Sequence, residues 1–341
     1  MRDAVSDVIV LDHGSTDDTA FVAARAGARV VRSDAASHEL ARNAYVELAR
    51  TPWLLVVDAD ERVVDASRVR ALADRAPSDV LGFALERFDW IGDGRWASTR
   101  IVRLFRRDDR VRYFASRAHA SVAKAIHDHD ARVALGDAPL QHLDALLDRP
   151  AHAKRANMRE RLEAELARPD APAILRCLLA LEHFAMGDDA RAESELARAL
   201  ADDARCEPIV SLFRAQQHLA RGRFDDAEQS ARRALALRDN PRFRGRESAF
   251  GVLADALDRR GARDAAVATL ERALDETNVA SHHVNLAALG VDPRAHFAAA
   301  RALNPWIGDA RTFARSDAPS IFRQQDALLS RVDMRELAQS A

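Results

Sequence analysis

Two apolar runs of this chain end in carboxylates. Val8-Ile9-Val10-Leu11 leads into Asp12, and the run from Trp53 to Val57 leads into Asp58, Asp60 and Glu61. In an open α/β sheet, ligands sit in the crevice at the carboxyl ends of strands, so acids at two such ends can converge on one site. An Asp-x-Asp pair can present oxygens to Mg²⁺ or Mn²⁺, whose other positions take diphosphate oxygens and water. Gly14-Ser15-Thr16 after Asp12 opens a helix. A carboxylate beside a helix N-terminus can hold the ribose or base edge of a nucleotide, or it can be an ordinary capped strand-to-helix turn. Asp128-His129-Asp130 has the same acid spacing, but no apolar run precedes it and it reads as an exposed loop.

The elements that must position these acids follow from the pattern around them. VIVL is a buried strand and AFVAARAG a helix with Gly27 as its stop. ARVVR is the next strand. Residues 38–50 are helical until Pro52, WLLVVDAD is a strand, and DASRVRALADRA is a helix capped by Asp65. Strands separated by helices imply right-handed crossovers and a parallel sheet. LGFALERF and TRIVRLFRR, joined through IGDGRW, read as antiparallel additions. Trp90 and Trp96 flank that turn, where they could stack on a sugar or pack across the hairpin.

After about residue 150 the strands give way to long alanine-rich helices that repeat. HFAMGDDARAESELARAL at 183–200 aligns with HLARGRFDDAEQSARRAL at 218–235, and DRRGARDAAVATLERAL at 258–274 is a third copy. Gly187, Gly222 and Gly261 align, as do Ala192, Ala227 and Ala266, at offsets of 35 and then 39 residues. This resembles the tetratricopeptide repeat, whose period is about 34 residues. Small residues let paired helices approach closely, glycine ends the first helix of each pair, and Asn240-Pro241 stops a second. Each hairpin buries its apolar face only against its neighbours. Residues 282–305, with Gly290 and Asn304-Pro305, read as a degenerate last copy.

Composition narrows the function classes. The chain has 341 residues, 48% hydrophobic, with a formal net charge of -2. That length suits two domains, and that charge gives no electrostatic reason to expect nucleic acid. Cys177 and Cys206 are the only cysteines, so a disulfide framework is not expected and a reducing compartment fits. No apolar run is long enough to span a bilayer. The chain reads as a cytoplasmic bacterial protein, at most peripheral at the inner membrane.

VLDHGSTDDT, then ELARNAYVELARTPWLLVVDADE, then RLFRR, together resemble the family 2 glycosyltransferases of the GT-A fold. The nearer subgroup contains lipopolysaccharide-core and peptide S-glycosyltransferases, often with tetratricopeptide repeats appended. The resemblance implies an α/β domain over 1–150 with a Rossmann-like mixed sheet, all-α repeats over 151–310 and a helical tail over 311–341. It implies that Asp12, Ser15, Arg42, Asn43, Asp58 and Arg103 hold a nucleoside-diphosphate sugar. Asp58, Asp60 and His142 would then hold Mg²⁺ or Mn²⁺. Asn157 follows His142 as in the family's pattern. The acceptor would be a glycan, a lipid-linked molecule or a protein, with inversion at the anomeric centre and a protein partner on the repeats.

The chain departs from that pattern twice. His119-Ala120 stands where the family has His-Glu, which leaves Glu86 and Asp89, after a strand, as base candidates. The family also begins with a further strand ahead of DHGSTD, central in its sheet, so the resemblance implies a start upstream or an impaired relative. Loss of that strand would expose its neighbours' edges. The alternative function is a non-catalytic repeat scaffold with a degenerate transferase domain. His282-His283 falls in a repeat linker without a spaced acidic partner, so no metal site is expected there.

Overall fold

A computed structural model describes residues 5–35, 38–113, 122–143, 151–237, 245–313 and 333–340. His119-Ala120 and Asn240-Pro241 lie outside the described residues. The chain divides into two compact units, one of residues 1–87 and 100–141, the other of residues 88–99 and 142–341.

In the first unit, β1 (Ile9–Asp12), α1 (Thr19–Arg25) and β2 (Arg29–Arg32) form the expected crossover, with β1 and β2 parallel. After α2 (His38–Leu48) come β3 (Trp53–Leu55), β4 (Glu61–Val63), α3 (Ala66–Arg75), β5 (Val80–Gly92), β6 (Arg95–Arg106), α4 (Ala123–Asp128) and β7 (Arg132–His142). These five strands make a second sheet in the order β3-β6-β5-β7-β4. Of the three strands expected to lie parallel, β1 and β2 do so, whereas β3 pairs antiparallel with β6. Among the described residues β1 pairs only with β2 and β3 only with β6, so each keeps an open edge.

Local chemistry explains the elements. Asp65 caps α3 by accepting from the Ser67 amide at 2.9 Å, which satisfies one of the donors a helix start leaves open. Asp93 and Gly94, at φ 52° and 73°, make the two-residue turn between β5 and β6. Both residues in the left-handed region is the type I′ arrangement that suits a twisted hairpin. His129 and Asp130 lie in an exposed turn, as expected. The carboxylate-bearing run after β3 breaks sooner than expected, and its last acid, Glu61, begins the short strand β4.

The second unit is a row of antiparallel helix pairs. Its elements are α5 (Ala151–Leu166), α6 (Ile174–Ala185), α7 (Asp189–Asp202), α8 (Glu207–Ala220), α9 (Phe224–Ala236), α10 (Arg246–Arg259), α11 (Arg263–Glu276), α12 (Ala280–Ala288), α13 (Pro293–Leu303) and α14 (Met334–Ser340). α6 packs on α7, α8 on α9, α10 on α11 and α12 on α13, with α9 on α10 and α11 on α12 joining successive pairs. The aligned alanines 192, 227 and 266, and 199, 234 and 273, are all fully buried, as close helix packing requires. Gly187 and Gly222 end their helices at φ 81° and 73°, a conformation that costs other residues about 1–2 kcal/mol, and Gly261 repeats the position. The last copy departs from the alignment. Asn304 does cap α13, but Ala302 is exposed while Phe297 and Ala300 face the core.

The tip of the β5–β6 hairpin belongs to this second unit. Phe88, Trp90 and Trp96 share a buried cluster with Val284, Phe297, Ile307 and Met334. Trp90 Nε1 donates to the Thr312 carbonyl at 2.9 Å, and Trp96 meets Trp306 edge to face at 6.2 Å. Both tryptophans pack on other residues of this unit, Trp90 at Thr312 and Trp96 at Trp306.

Candidate functional site

The acidic end of β3 is built from four elements of the first unit. α2 supplies Arg42, the β3–β4 segment Asp58 and Glu61, β5 Arg87, and β6 Arg103. Arg42 donates to Asp58 Oδ1 at 2.9 Å. Arg103 donates to Asp58 Oδ2 at 2.5 Å and to Glu61 Oε1 at 2.6 Å. Arg87 reaches Glu61 Oε1 at 3.3 Å, and Glu61 Oε2 accepts from the Asp58 amide at 3.0 Å. The Glu61 side chain is fully enclosed and that of Arg103 is 4% exposed. Asp60 is half-buried.

The electrostatics close on themselves. Burial works against the Asp58 charge, but the Arg103 and Arg42 guanidinium groups outweigh it and hold the carboxyl below the usual aspartate range. Burial likewise opposes the Arg103 charge, and Asp58 and Glu61 more than offset it. In such an interior each charge is tolerable only because its partners are present.

Arg42 is itself held in place. Its guanidinium lies over the Tyr113 ring at 5.6 Å. Asn43, next in the chain, accepts from the Tyr113 amide at 2.8 Å and donates to the Tyr113 carbonyl at 3.1 Å. The two neighbours divide the work: Arg42 meets the acid, and Asn43 pins the segment that supports Arg42. Arg106 and Arg107 serve the backbone, Arg106 at the Val80 carbonyl (3.0 Å) and Arg107 at that of Val46 (3.4 Å).

Asp12 and the Asp89–His142 pair have further partners. Asp12 Oδ1 accepts from the Ser15 amide at 3.0 Å, and the hydrogen bonds from Ser15 lower the Asp12 carboxyl from its ordinary range. This is the geometry of a capped turn. Asp89 and His142 lie in the second unit, where His142 Nδ1 is 2.6 Å from Asp89 Oδ1 and Thr99 Oγ1 donates to Asp89 Oδ2 at 2.9 Å. Glu86, on β5 in the first unit, is half-buried, and Asn157 is exposed on α5.

A divalent cation needs convergent oxygen lone pairs. Here both oxygens of Asp58 accept from guanidinium groups, both oxygens of Glu61 are engaged, and His142 is bonded to Asp89. Among the described residues no three His, Cys, Asp or Glu side chains gather as a cation site. Asp58 and Glu61 in this arrangement do not present convergent free oxygens to Mg²⁺ or Mn²⁺. Arg87 and Tyr113 are not legible in the sequence, Arg87 because strand pairing brings it in and Tyr113 because Asn43 of α2 holds its segment.

Residues 3–133 match the family described as glycosyl transferase family 2. A TPR repeat-containing protein of Synechococcus elongatus is 32% identical over 114 residues, covering 33% of this chain and 28% of its own length. The chain thus spans little more than a quarter of that relative. Among solved structures, MamA MSR-1 matches at 20% identity and a TM-score of 0.33, over 46% of this chain and 90% of its own. The Cut9 and Hcn1 hetero-tetramer matches at 18% and 0.37, over 53% and 34%. No described helix is long and apolar enough to cross a membrane. The match to the family 2 glycosyl transferase model thus falls on the α/β part of the chain, and the recurring helix pairs that follow have the tetratricopeptide-type pattern.

Proposed function

We propose that the chain moves a sugar from a nucleoside-diphosphate sugar to a glycan, lipid-linked or protein acceptor. The observation that carries this reading is the Arg42 and Arg103 pair on Asp58 at the carboxyl end of β3, within the family 2 domain. The three guanidinium groups of Arg42, Arg87 and Arg103 outnumber the two carboxylates they hold, Asp58 and Glu61, and that excess of positive charge suits a leaving diphosphate, which gains negative charge. The acceptor nucleophile forms its bond to the anomeric carbon as the bond to the diphosphate breaks. Its proton goes to a carboxylate, and Glu86 is the candidate in the first unit. Asp89 is less suited, with one oxygen on Thr99 and the other on His142. Metal dependence is no part of this reading, because Asp58 is committed to arginine. The repeats offer a surface for the acceptor or for a protein partner.

The test is thermal unfolding and product release with a panel of nucleoside-diphosphate sugars, with EDTA and with Mn²⁺, beside an Arg42→Gln variant. A ligand that binds the folded state raises the midpoint. A rise with one nucleotide sugar, lost in Arg42→Gln, together with release of the nucleoside diphosphate, is the expected result. A folded chain that responds to no nucleotide favours the second reading, a repeat scaffold. That reading draws on the separation of the β1–β2 sheet from the five-stranded sheet.

A further inference from the structure

His283 does not lie in a linker. It sits in α12, and its partner is His296 in α13, thirteen residues on, with the two Nδ1 atoms 2.9 Å apart. The rings are 5.2 Å between centroids and inclined by 38°. Both side chains are half-buried, so water can reach the pair. His282, between them and the core, is not part of the arrangement. It is turned inward, edge to face with Phe250 at 6.3 Å.

The geometry points to a two-histidine site for a borderline transition-metal dication, Zn²⁺, Ni²⁺ or Cu²⁺, bound by the Nδ1 atoms of His283 and His296. His283 Nε2 lies 2.8 Å from Asn278 Oδ1. An amide oxygen only accepts, so Nε2 carries the proton and Nδ1 presents a lone pair. A ligating histidine needs that tautomer, fixed by the same kind of outer hydrogen bond from the far nitrogen. In the metal-free pair, the proton between the rings belongs to His296 Nδ1. On binding it moves to Nε2 of the same ring, so both Nδ1 atoms become donors without a net change in protonation. Two nitrogens at about 2.0–2.1 Å from a tetrahedral Zn²⁺ stand about 3.3 Å apart, so binding needs the rings to separate by a few tenths of an ångström and each Nδ1 lone pair to turn by about 35° from the line between the nitrogens toward the shared ion.

Among the described residues no third His, Cys, Asp or Glu converges on the pair. Water completes the shell, and the site prefers imidazole-seeking ions over Mg²⁺ and Mn²⁺. Because its ligands come from both helices of the last repeat, the bound ion ties α12 to α13. This inference is independent of the proposed transferase activity, since it concerns different residues and a different class of ion.

The experiment is calorimetric titration of the untagged full chain with Zn²⁺, beside His296→Gln, a substitution at a half-buried position. One equivalent bound by the wild type, with affinity at least tenfold weaker in the variant, is expected. So is a thermal midpoint that rises with Zn²⁺ and not with Mg²⁺. No uptake by the wild type, or uptake unchanged in His296→Gln, overturns the assignment. If the variant does not fold, the spectrum of Cu²⁺ bound to the wild type decides. Superhyperfine splitting from two imidazole nitrogens supports the site, and a signal from one or none refutes it.

Discussion

The two units hold charge in opposite ways. The α/β unit concentrates it, with Arg42, Arg87 and Arg103 bound to Asp58 and Glu61 in one place, at side-chain exposures down to zero. The helical unit spreads it over separate pairs around a repeated alanine-rich interior, many of them outside, such as Arg221 with Asp189 and Arg246 with Glu276, and single ones buried, such as Arg155 with Glu182. One interior therefore depends on a single constellation that nothing else duplicates. The other depends on positions that recur, and each should behave like its copies.

Arg103→Met should give the largest effect. It removes the cation shared by Asp58 and Glu61 and leaves buried carboxylates undercompensated, a loss of about 3–5 kcal/mol read by denaturant unfolding. Arg70→Ala removes an exposed i,i+4 partner of Asp74, and should cost less than about 0.5 kcal/mol. Equal costs for the two would break the contrast. Leu196→Ala in α7 and Leu270→Ala in α11 come next, at about 2–5 kcal/mol each. Both residues are fully buried at matching repeat positions, so their costs should agree far better than that range. A wide disagreement would mean that the copies are not energetically equivalent.

The same contrast explains what could be read in the sequence. The helix pairs were legible because Gly187, Gly222 and Gly261 and their following alanines recur in register, and recurrence reports packing directly. Asp58 was legible as an acid at a strand end, but not as an acid bound by arginine. Its partners Arg42 and Arg103 lie 16 and 45 residues away, and the packing of α2 and the pairing of β6 decide which arginines arrive. The partners of the hairpin tip are hidden for a related reason: Phe88, Trp90 and Trp96 look like ordinary strand residues, and nothing local says that their cluster includes Phe297 and Met334. His296 is not legible as the partner of His283, because it lies on the next helix, thirteen residues on.

One substitution at two glycines sharpens the description of the repeats. Gly187→Ala should destabilise by about 1 kcal/mol, since a Cβ there meets nothing within 4 Å and the strain lies in the left-handed backbone alone. Gly251→Ala should do the reverse. Gly251 is inside α10, and an added Cβ would stand 3.9 Å from Asn285 Nδ2, an ordinary contact. Alanine should therefore gain about 0.5–1 kcal/mol of helix preference. Shifts of the same sign at the two sites would show that space, rather than backbone conformation, sets the cost.

The smallest effect separates the units by pH. His183 and His218 occupy the same position in successive repeats, and burial pulls both imidazoles below the ordinary histidine range. The unfolded chain takes up protons near pH 6.5, roughly the free histidine value, whereas the folded chain resists until lower pH. Between those two points the unfolded state binds more protons, so stability is full above the unfolded value and falls as pH falls toward the folded one. His282, pulled down to about 4 by burial, adds in the same direction. Asp58 contributes stability that persists until the pH falls through its own depressed value, below the ordinary aspartate range. Acidification from pH 7.5 to 5.5 should therefore weaken the helical unit first. The probe is Trp306 fluorescence during denaturant unfolding, in a chain whose other tryptophans are replaced by phenylalanine. A His183→Gln/His218→Gln variant should show a shallower decline over that interval, and an unchanged slope would mean that neither ring stays neutral because of its burial.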